Sequence, residues 1–384
     1  MLLNLFLHYL LLGCLCFGGP AAHIAYFRRF FVEQKHWLSH EDFARHLALC
    51  QFLPGPASSQ LGFLIALQRG GLAGAILGFI GFTLPSAVLM YFLATSGELW
   101  QQASGLLAGL KLLAAVVVAD AIWAMSKQFC VKSANRLAMI LATLALLLYP
   151  AAWMQIAVLI TAAAWAWFST AKNKVEASTI PTSSVPLKLG KHARTYLLLF
   201  LVLLVLSVLL SVNGQANLFA QFYQSGSMVF GGGHVVLPLL QTQFSSVLAT
   251  DEVLLGYAAA QAVPGPMFTL ATYLGATLDS VSPITGAILA TLGIFLPGFL
   301  LVLGLSGLWV ALSEHVRLRQ VIAMVNAVAV GFLLAAWLGM IVPAMPGDWL
   351  SICIAVLGFI ALRWARLPIL VLILVCGGYG YLWL

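Results

Sequence analysis

Gln51-Phe52-Leu53-Pro54-Gly55-Pro56 recurs as Gln261-Ala262-Val263-Pro264-Gly265-Pro266. Each copy stands between two apolar stretches too short to cross a bilayer alone. Each also follows a glycine cluster: Phe17-Gly18-Gly19-Pro20 before the first, Phe230-Gly231-Gly232-Gly233 before the second. Pro54 and Pro264 are 210 positions apart, Phe17 and Phe230 are 213 apart, and the later prolines Pro85 and Pro297 are 212 apart. Three landmarks in one order at nearly one spacing define an internal duplication.

Composition sets the solvent in which the duplication folds. Of 384 residues, 62% are hydrophobic and 8% charged, and mean hydropathy is +1.03. A soluble surface takes roughly a quarter of its residues charged, far more than this chain has. The chain therefore reads as an all-α polytopic membrane protein. The net charge of +7 then belongs to loops that set topology, and no nucleic acid partner is expected. No positively charged segment precedes the first apolar run, so no cleavable signal is expected. The cysteines, at 14, 16, 50, 130, 353 and 376, lack histidines at metal-site spacing and read as small packing residues. Nucleotide-binding, zinc-protease and serine-hydrolase motifs are missing, so no catalytic residue, metal or organic cofactor is expected.

Ser39 is placed to cap a helix whose first turn carries Glu41 and Asp42, where the helix dipole favours negative charge. That helix must stop before Pro54, because a residue preceding proline is pushed out of the α region. At 1.5 Å per residue it is roughly 21 Å long. Pro56 suits the first position of the next helix, to about Arg69. A hydrocarbon core is about 30 Å thick, so the two pieces read as a broken or re-entrant pair meeting at Pro-Gly-Pro inside the membrane. Full spans are expected at 71–95, 104–126, 135–150 and 152–170. A basic Lys/Ser/Thr/Pro segment, 171–194, follows as a cytoplasmic linker.

The second half opens with an extra span at 193–212, then repeats the pattern: a cap at Thr250 with Asp251 and Glu252, a short pair at 251–263 and 266–279, and spans near 283–306, 318–342, 347–362 and 366–383. The total is about 12 to 14 crossings; hydropathy leaves open whether 217–248 crosses once or twice. Residues 1–170 and 195–384 are thus the expected repeats. Arg28, Arg29, Arg45 and Arg69 flank the first short pair, but Asp251, Glu252 and Asp279 flank the second. Opposite charge bias in homologous halves predicts an inverted-topology repeat.

Pro-Gly-Pro at membrane depth creates binding capacity. A helix starting at Pro56 leaves the amides of Ala57, Ser58 and Ser59 without intrahelical partners, beside the Ser58 and Ser59 hydroxyls. Its positive dipole end faces the same way, the raw material of an oxyanion site. Pro264-Gly265-Pro266 offers the amides of Met267, Phe268 and Thr269 with the Thr269 hydroxyl. Two such ends converging across a pseudo-twofold axis suit a dianion. Gly18, Gly19, Gly231 and Gly232 can unwind helices there, and Gln51 and Gln261 stand one turn before the two loops. Together with Pro54 and Arg45 these are the candidate substrate-binding residues; breaking helices for packing is the competing role of Pro-Gly-Pro. Asp120 and Lys111, nine residues apart, face opposite sides of one helix, whereas Asp120 and Lys127 share a face. His23 and His234 are not in register between the repeats; they read as structural, with carrying a coupling proton as the competing role.

These residues also carry a resemblance. Phe17-Gly18-Gly19-Pro20, Trp37-Leu38-Ser39, Gln51 to Pro56 and Gly81-Phe82-Thr83-Leu84-Pro85-Ser86 look like the chromate ion transporter family. Phe230-Gly231-Gly232, Gln261 to Pro266 and Leu296-Pro297-Gly298 look like its duplicated domain. The likeness covers essentially the whole chain. It implies a bacterial inner-membrane transporter that exports chromate, with a chemiosmotic drive and with sulfate as the natural competitor. The expectation is a secondary transporter working by alternating access between inverted halves. Its rivals are sulfate uptake, an anion channel, a membrane-embedded enzyme and a purely structural subunit. Gly-Gly-Pro in one half against Gly-Gly-Gly in the other makes the half-sites unequal. Two copies in one chain allow a monomer to hold a complete pathway in the lipid bilayer; a homodimer remains open.

Overall fold

The computed structural model describes residues 1–96, 104–172, 192–212, 217–309, 312, 315–365 and 367–383. Among these residues every regular element is helical, and six helices are long and apolar enough to cross a membrane. The expected linker falls mostly on 173–191, outside the described residues.

In the first half, the glycine cluster separates α1 (Leu2–Leu15) from α2 (Gly19–Phe27), and α2 runs on into a π-helical turn, Arg28–Gln34. Then come α3 (His40–Phe52), α4 (Ala57–Thr95), α5 (Ser104–Phe129), α6 (Ser133–Leu148) and α7 (Ala152–Lys172). Ser39 caps α3, its hydroxyl accepting from the Asp42 amide at 3.0 Å. Pro56 is not helical as expected but stands before α4, with ψ of 88°. The helix α4 is broken at Gly70 and Gly71, the latter with φ of 61°, so its two parts match the expected short helix and the span after it.

In the second half, α8 (Ala193–Val212) leads. Residues 217–248 then form two short helices, α9 (Leu218–Ser227) and α10 (Val236–Phe244), on either side of the glycine cluster. Next are α11 (Thr250–Ala262), α12 (Leu270–Thr277), α13 (Pro283–Leu305), α14 (Val316–Ala336), α15 (Trp349–Arg363) and α16 (Ile369–Trp383). The cap of α11 is Ala249, not Thr250; the Glu252 carboxylate accepts from the Ala249 amide at 3.0 Å. The carboxylate does the capping from inside the first turn, so a hydroxyl is not needed at the cap position.

Packing repeats with the sequence. The helix α1 lies along α4, and α9 along α13. Each contact runs through a glycine: a Cβ at Gly13 would stand 2.6 Å from the Phe82 carbonyl, and one at Gly226 would overlap the Ile294 carbonyl. Such crossings let apolar helices associate by close packing where lipid gives no hydrophobic drive. The last helices are exchanged between halves: α15 and α16 pack on α5, while α6 and α7 pack on α14. At the centre Phe63 of α4 stacks on Phe299 of α13, centroids 4.3 Å apart. Lys111 of α5 pairs with Asp251 of α11 at 2.8 Å.

Candidate functional site

Both Pro-Gly-Pro loops have one backbone shape. Leu53 and Val263, each preceding proline, are extended, with ψ of 149° and 148°. Gly55 and Gly265 have φ of 115° and 107°, a region that a side chain would strain. The Gly55 amide donates to the Val229 carbonyl at 2.8 Å, and the Gly265 amide to the Cys16 carbonyl at 2.9 Å. Val229 and Cys16 each sit just before a glycine cluster, so each loop is tied to the cluster of the other half.

The helices that start here differ. In the first, the Gln60 amide makes the first helical bond, to Pro56 at 2.9 Å; the amides of Ala57, Ser58 and Ser59 have no partner within the helix. In the second, a tighter turn, Met267–Thr269, precedes α12. Thr269 donates both its amide, at 3.0 Å, and its hydroxyl, at 2.8 Å, to the Pro266 carbonyl. Neither Thr269 donor is therefore free for an anion, unlike the sequence expectation. Ser58 Oγ lies 3.4 Å from His23 Nδ1, and the buried Ser59 hydroxyl has no partner.

Between the halves lies a cavity of about 450 Å³. Gly18, Gln51 and Gly55 line it from the first half, and Gly231, Gly232 and Gln261 from the second. These six expected residues are brought together. Gly19 stands next to them, where a Cβ would be 4.0 Å from Gln261 Oε1. Pro54, Pro56, Ser58, Ser59, Pro264, Gly265, Pro266 and Thr269 do not line the cavity. Arg45 is elsewhere: half-exposed on α3, it pairs with Glu41 at 3.0 Å and Asp42 at 3.5 Å. It faces a separate cleft with His46, Gln68 and Trp309.

The lining also holds residues that repeat logic does not give: Pro20, Cys50, Met125, Gln128, His234 and Asp120. Asp120 carries the sequence signal of a charge inside a span. Its partner is neither Lys111 nor Lys127; Arg363, at the end of α15, approaches to 3.9 Å, and Lys127 lies over the Trp123 ring.

The chemistry of the lining is that of polar donors on a yielding backbone. Gly18, Gly19, Gly231 and Gly232 all have positive φ, and turns of this kind gather successive N–H groups into anion-binding concavities. The amide nitrogen of Gln261 is 3.4 Å from His234 Nδ1 and 2.9 Å from Met267 Sδ. Turning that amide over exposes its N–H donors to an anion for the loss of weak contacts. His234 is itself held by Tyr257, Nδ1 to hydroxyl 2.7 Å.

A second cavity, about 610 Å³, is lined by Pro150, Gln155, Phe332, Ala336 and Met340, with Thr242 and Asp251. Its first five residues lie 212 positions from Leu362, Leu367, Asp120, Ala124 and Gln128 of the first cavity. The two cavities are thus built from corresponding parts of the repeat. The second does not reach the glycine clusters, and Phe332 stands where the first has Asp120.

The family model for the chromate transporter matches residues 3–167 and 216–381. The chain belongs to the chromate transporter family. A chromate transport protein of Pseudomonas aeruginosa is 27% identical over 99% of this chain and 92% of its own length. An uncharacterised transporter of Methanocaldococcus jannaschii is 24% identical over 99% and 94%. A probable chromate transport protein of Synechococcus elongatus is 26% identical over 77% and 73%. No solved structure matches. Membership of the chromate transporter family, with six membrane-length helices among the described residues, makes this a multi-pass membrane protein.

Proposed function

We propose that this protein exports chromate across the inner membrane as a secondary transporter, binding the dianion between the two glycine clusters. The single observation that carries the reading is the cavity lined by Gly18, Gln51, Gly231, Gly232 and Gln261, donors from both halves around one space. Amide and side-chain N–H groups hold a tetrahedral oxyanion without a fixed cation, which favours release as well as capture.

The paired cavities support alternating access. A cytoplasmic opening for the first cavity accords with Arg363 and the basic end of α5, because short basic loops stay inside; the second cavity then opens outward. In an inverted pair, exchange of conformations between the halves closes one cavity and opens the other around a fixed midplane site. The membrane potential alone drives an anion outward from a negative interior. Sulfate, of the same shape and charge, is the expected competitor.

The test is chromate accumulation in inside-out vesicles, energised and de-energised, with sulfate present or absent. Accumulation that needs energy, collapses with an uncoupler and is reduced by sulfate supports export. Sulfate movement without chromate movement keeps the architecture and replaces the substrate. No anion movement removes the reading.

A further inference from the structure

The cavity holds one acidic residue among the described residues that line it, Asp120, and an ionised carboxylate there repels the anion the cavity is built for. We propose that Asp120 and Arg363 form a pair that the anion breaks, so that Asp120 takes up a proton each time a dianion binds. The proposal rests on the oxyanion reading of this cavity.

The geometry is that of a releasable pair. Arg363 Nη1 stands 3.9 Å from Asp120 Oδ1, beyond hydrogen-bond length, and that same oxygen is buried with no hydrogen-bond partner. The side chains are 31% and 34% exposed, so neither is locked by packing. A structural pair sealed into a helix contact would instead be short and fully hydrogen-bonded.

Among the described residues no other charge is placed to hold Asp120 ionised. From α11, Asp251 is engaged by Lys111 nine residues away along α5, and Glu252 caps its own helix. Arg317 of α14 stacks over Trp167. The helix α16 carries no Asp, Glu, Lys or Arg, and α15 brings Arg363 alone to this end. On α5 itself Lys127 lies over Trp123. His234 lines the cavity, but its Nδ1 is held by Tyr257. Arg319 lies at the start of α14.

The sequence of events follows. In the empty cavity Arg363 keeps Asp120 ionised. An entering dianion attracts the guanidinium and repels the carboxylate, and both effects raise the proton affinity of Asp120. By reciprocity, a proton already on Asp120 strengthens anion binding by the same factor. One proton then accompanies each dianion, and the remaining negative charge still moves outward down the membrane potential. The corresponding position in the other cavity, Phe332, cannot titrate, which confines the linkage to one side.

The experiment is chromate binding to the purified full-length protein at alkaline pH, where chromate is a dianion. Calorimetry in two buffers of different ionisation heat reads protons taken up. Wild type is expected to take up about one proton per chromate, with affinity falling about tenfold per pH unit once Asp120 is ionised when empty. Asp120→Asn should abolish uptake and flatten the pH dependence while binding at high pH is retained or tightened. Asp120→Glu should restore uptake. Arg363→Gln should weaken binding, because the cation that the anion draws to itself is gone. Wild-type uptake undiminished in Asp120→Asn, or binding with no uptake in wild type, overturns the proposal and leaves the oxyanion site standing. Absence of chromate and sulfate binding in wild type overturns the site and this proposal together.

Discussion

Gly55 packs against Gly298 of the other half so closely that a methyl group on Gly55 would stand 3.2 Å from the Gly298 Cα. The reverse contact joins Gly265 to Ser86, where the added carbon would be 2.7 Å from the hydroxyl oxygen. Gln60 seals the first junction, its amide nitrogen donating to the Pro54 carbonyl at 2.8 Å and the Gly298 carbonyl at 3.2 Å. The Pro-Gly-Pro loops are therefore structural joints between halves, and the first also bounds the cavity through Gly55.

Gly55→Ala and Gly265→Ala are accordingly expected to destabilise the protein by about 1–3 kcal/mol each, from backbone strain at positive φ compounded by the contact across the joint. Thermal unfolding in detergent checks this. Gln51→Ala and Gln261→Ala should leave the unfolding temperature nearly unchanged and weaken chromate transport. Equal thermal losses in all four variants would remove the distinction between joint and site.

Lys111 and Asp251 join the halves at the opposite end of α5. With Asp251 64% exposed, solvent screens much of the attraction, and a double-mutant cycle should give a coupling of about 0.5–1 kcal/mol. Exchanging the two residues, Lys111→Asp with Asp251→Lys, should recover most of the stability lost by either change alone.

The repeat and its broken helices were legible because proline and glycine act on the backbone where they stand. Leu53 and Val263 are extended for that reason alone. The glycine clusters and glutamines could be paired by offset, and the structure gathers them. What the sequence did not disclose depends on contacts across the fold. Asp120 and Lys111 looked like a problem of one helix face, whereas their partners, Arg363 and Asp251, come from the other half. Arg45 was attractive as a cation near Pro-Gly-Pro, but Glu41 and Asp42, placed one helical turn before it, draw it to the surface. Thr269 was misjudged because a tight first turn brings its amide and hydroxyl back onto Pro266, a choice of turn that spacing does not encode.

Asp348, in the loop before α15, ties that helix to α16. Its carboxylate accepts from the Ser351 amide at 2.9 Å, the Ser351 hydroxyl at 2.6 Å and the Tyr379 hydroxyl at 2.9 Å. Ser351, and to a lesser degree Tyr379, stabilises the ionised form and lowers its pKa to about 2. A lowered carboxylate pKa contributes stability that is present above the ordinary value of 3.8 and is lost as pH falls toward 2. Asp348→Asn should therefore lower the unfolding temperature at neutral pH, and the difference from wild type should shrink below pH 3.8.

The two cavities predict sidedness. In a protein freed of its own cysteines, Gln128→Cys should react with a membrane-impermeant thiol reagent from the cytoplasmic side. Thr242→Cys should react from the outer side. Labelling of both from one side would contradict the proposed inversion of the halves.

Equilibrium dialysis of radiolabelled chromate against the purified protein tests the site between the glycine clusters directly. Gln51→Ala with Gln261→Ala is expected to weaken binding at least about tenfold, the loss of about 1.4 kcal/mol expected for removed donors, while Arg45→Ala changes it less than about twofold. Binding that survives the glutamine pair and is lost in Arg45→Ala would move the site to the surface of α3 and contradict a chromate site between the glycine clusters.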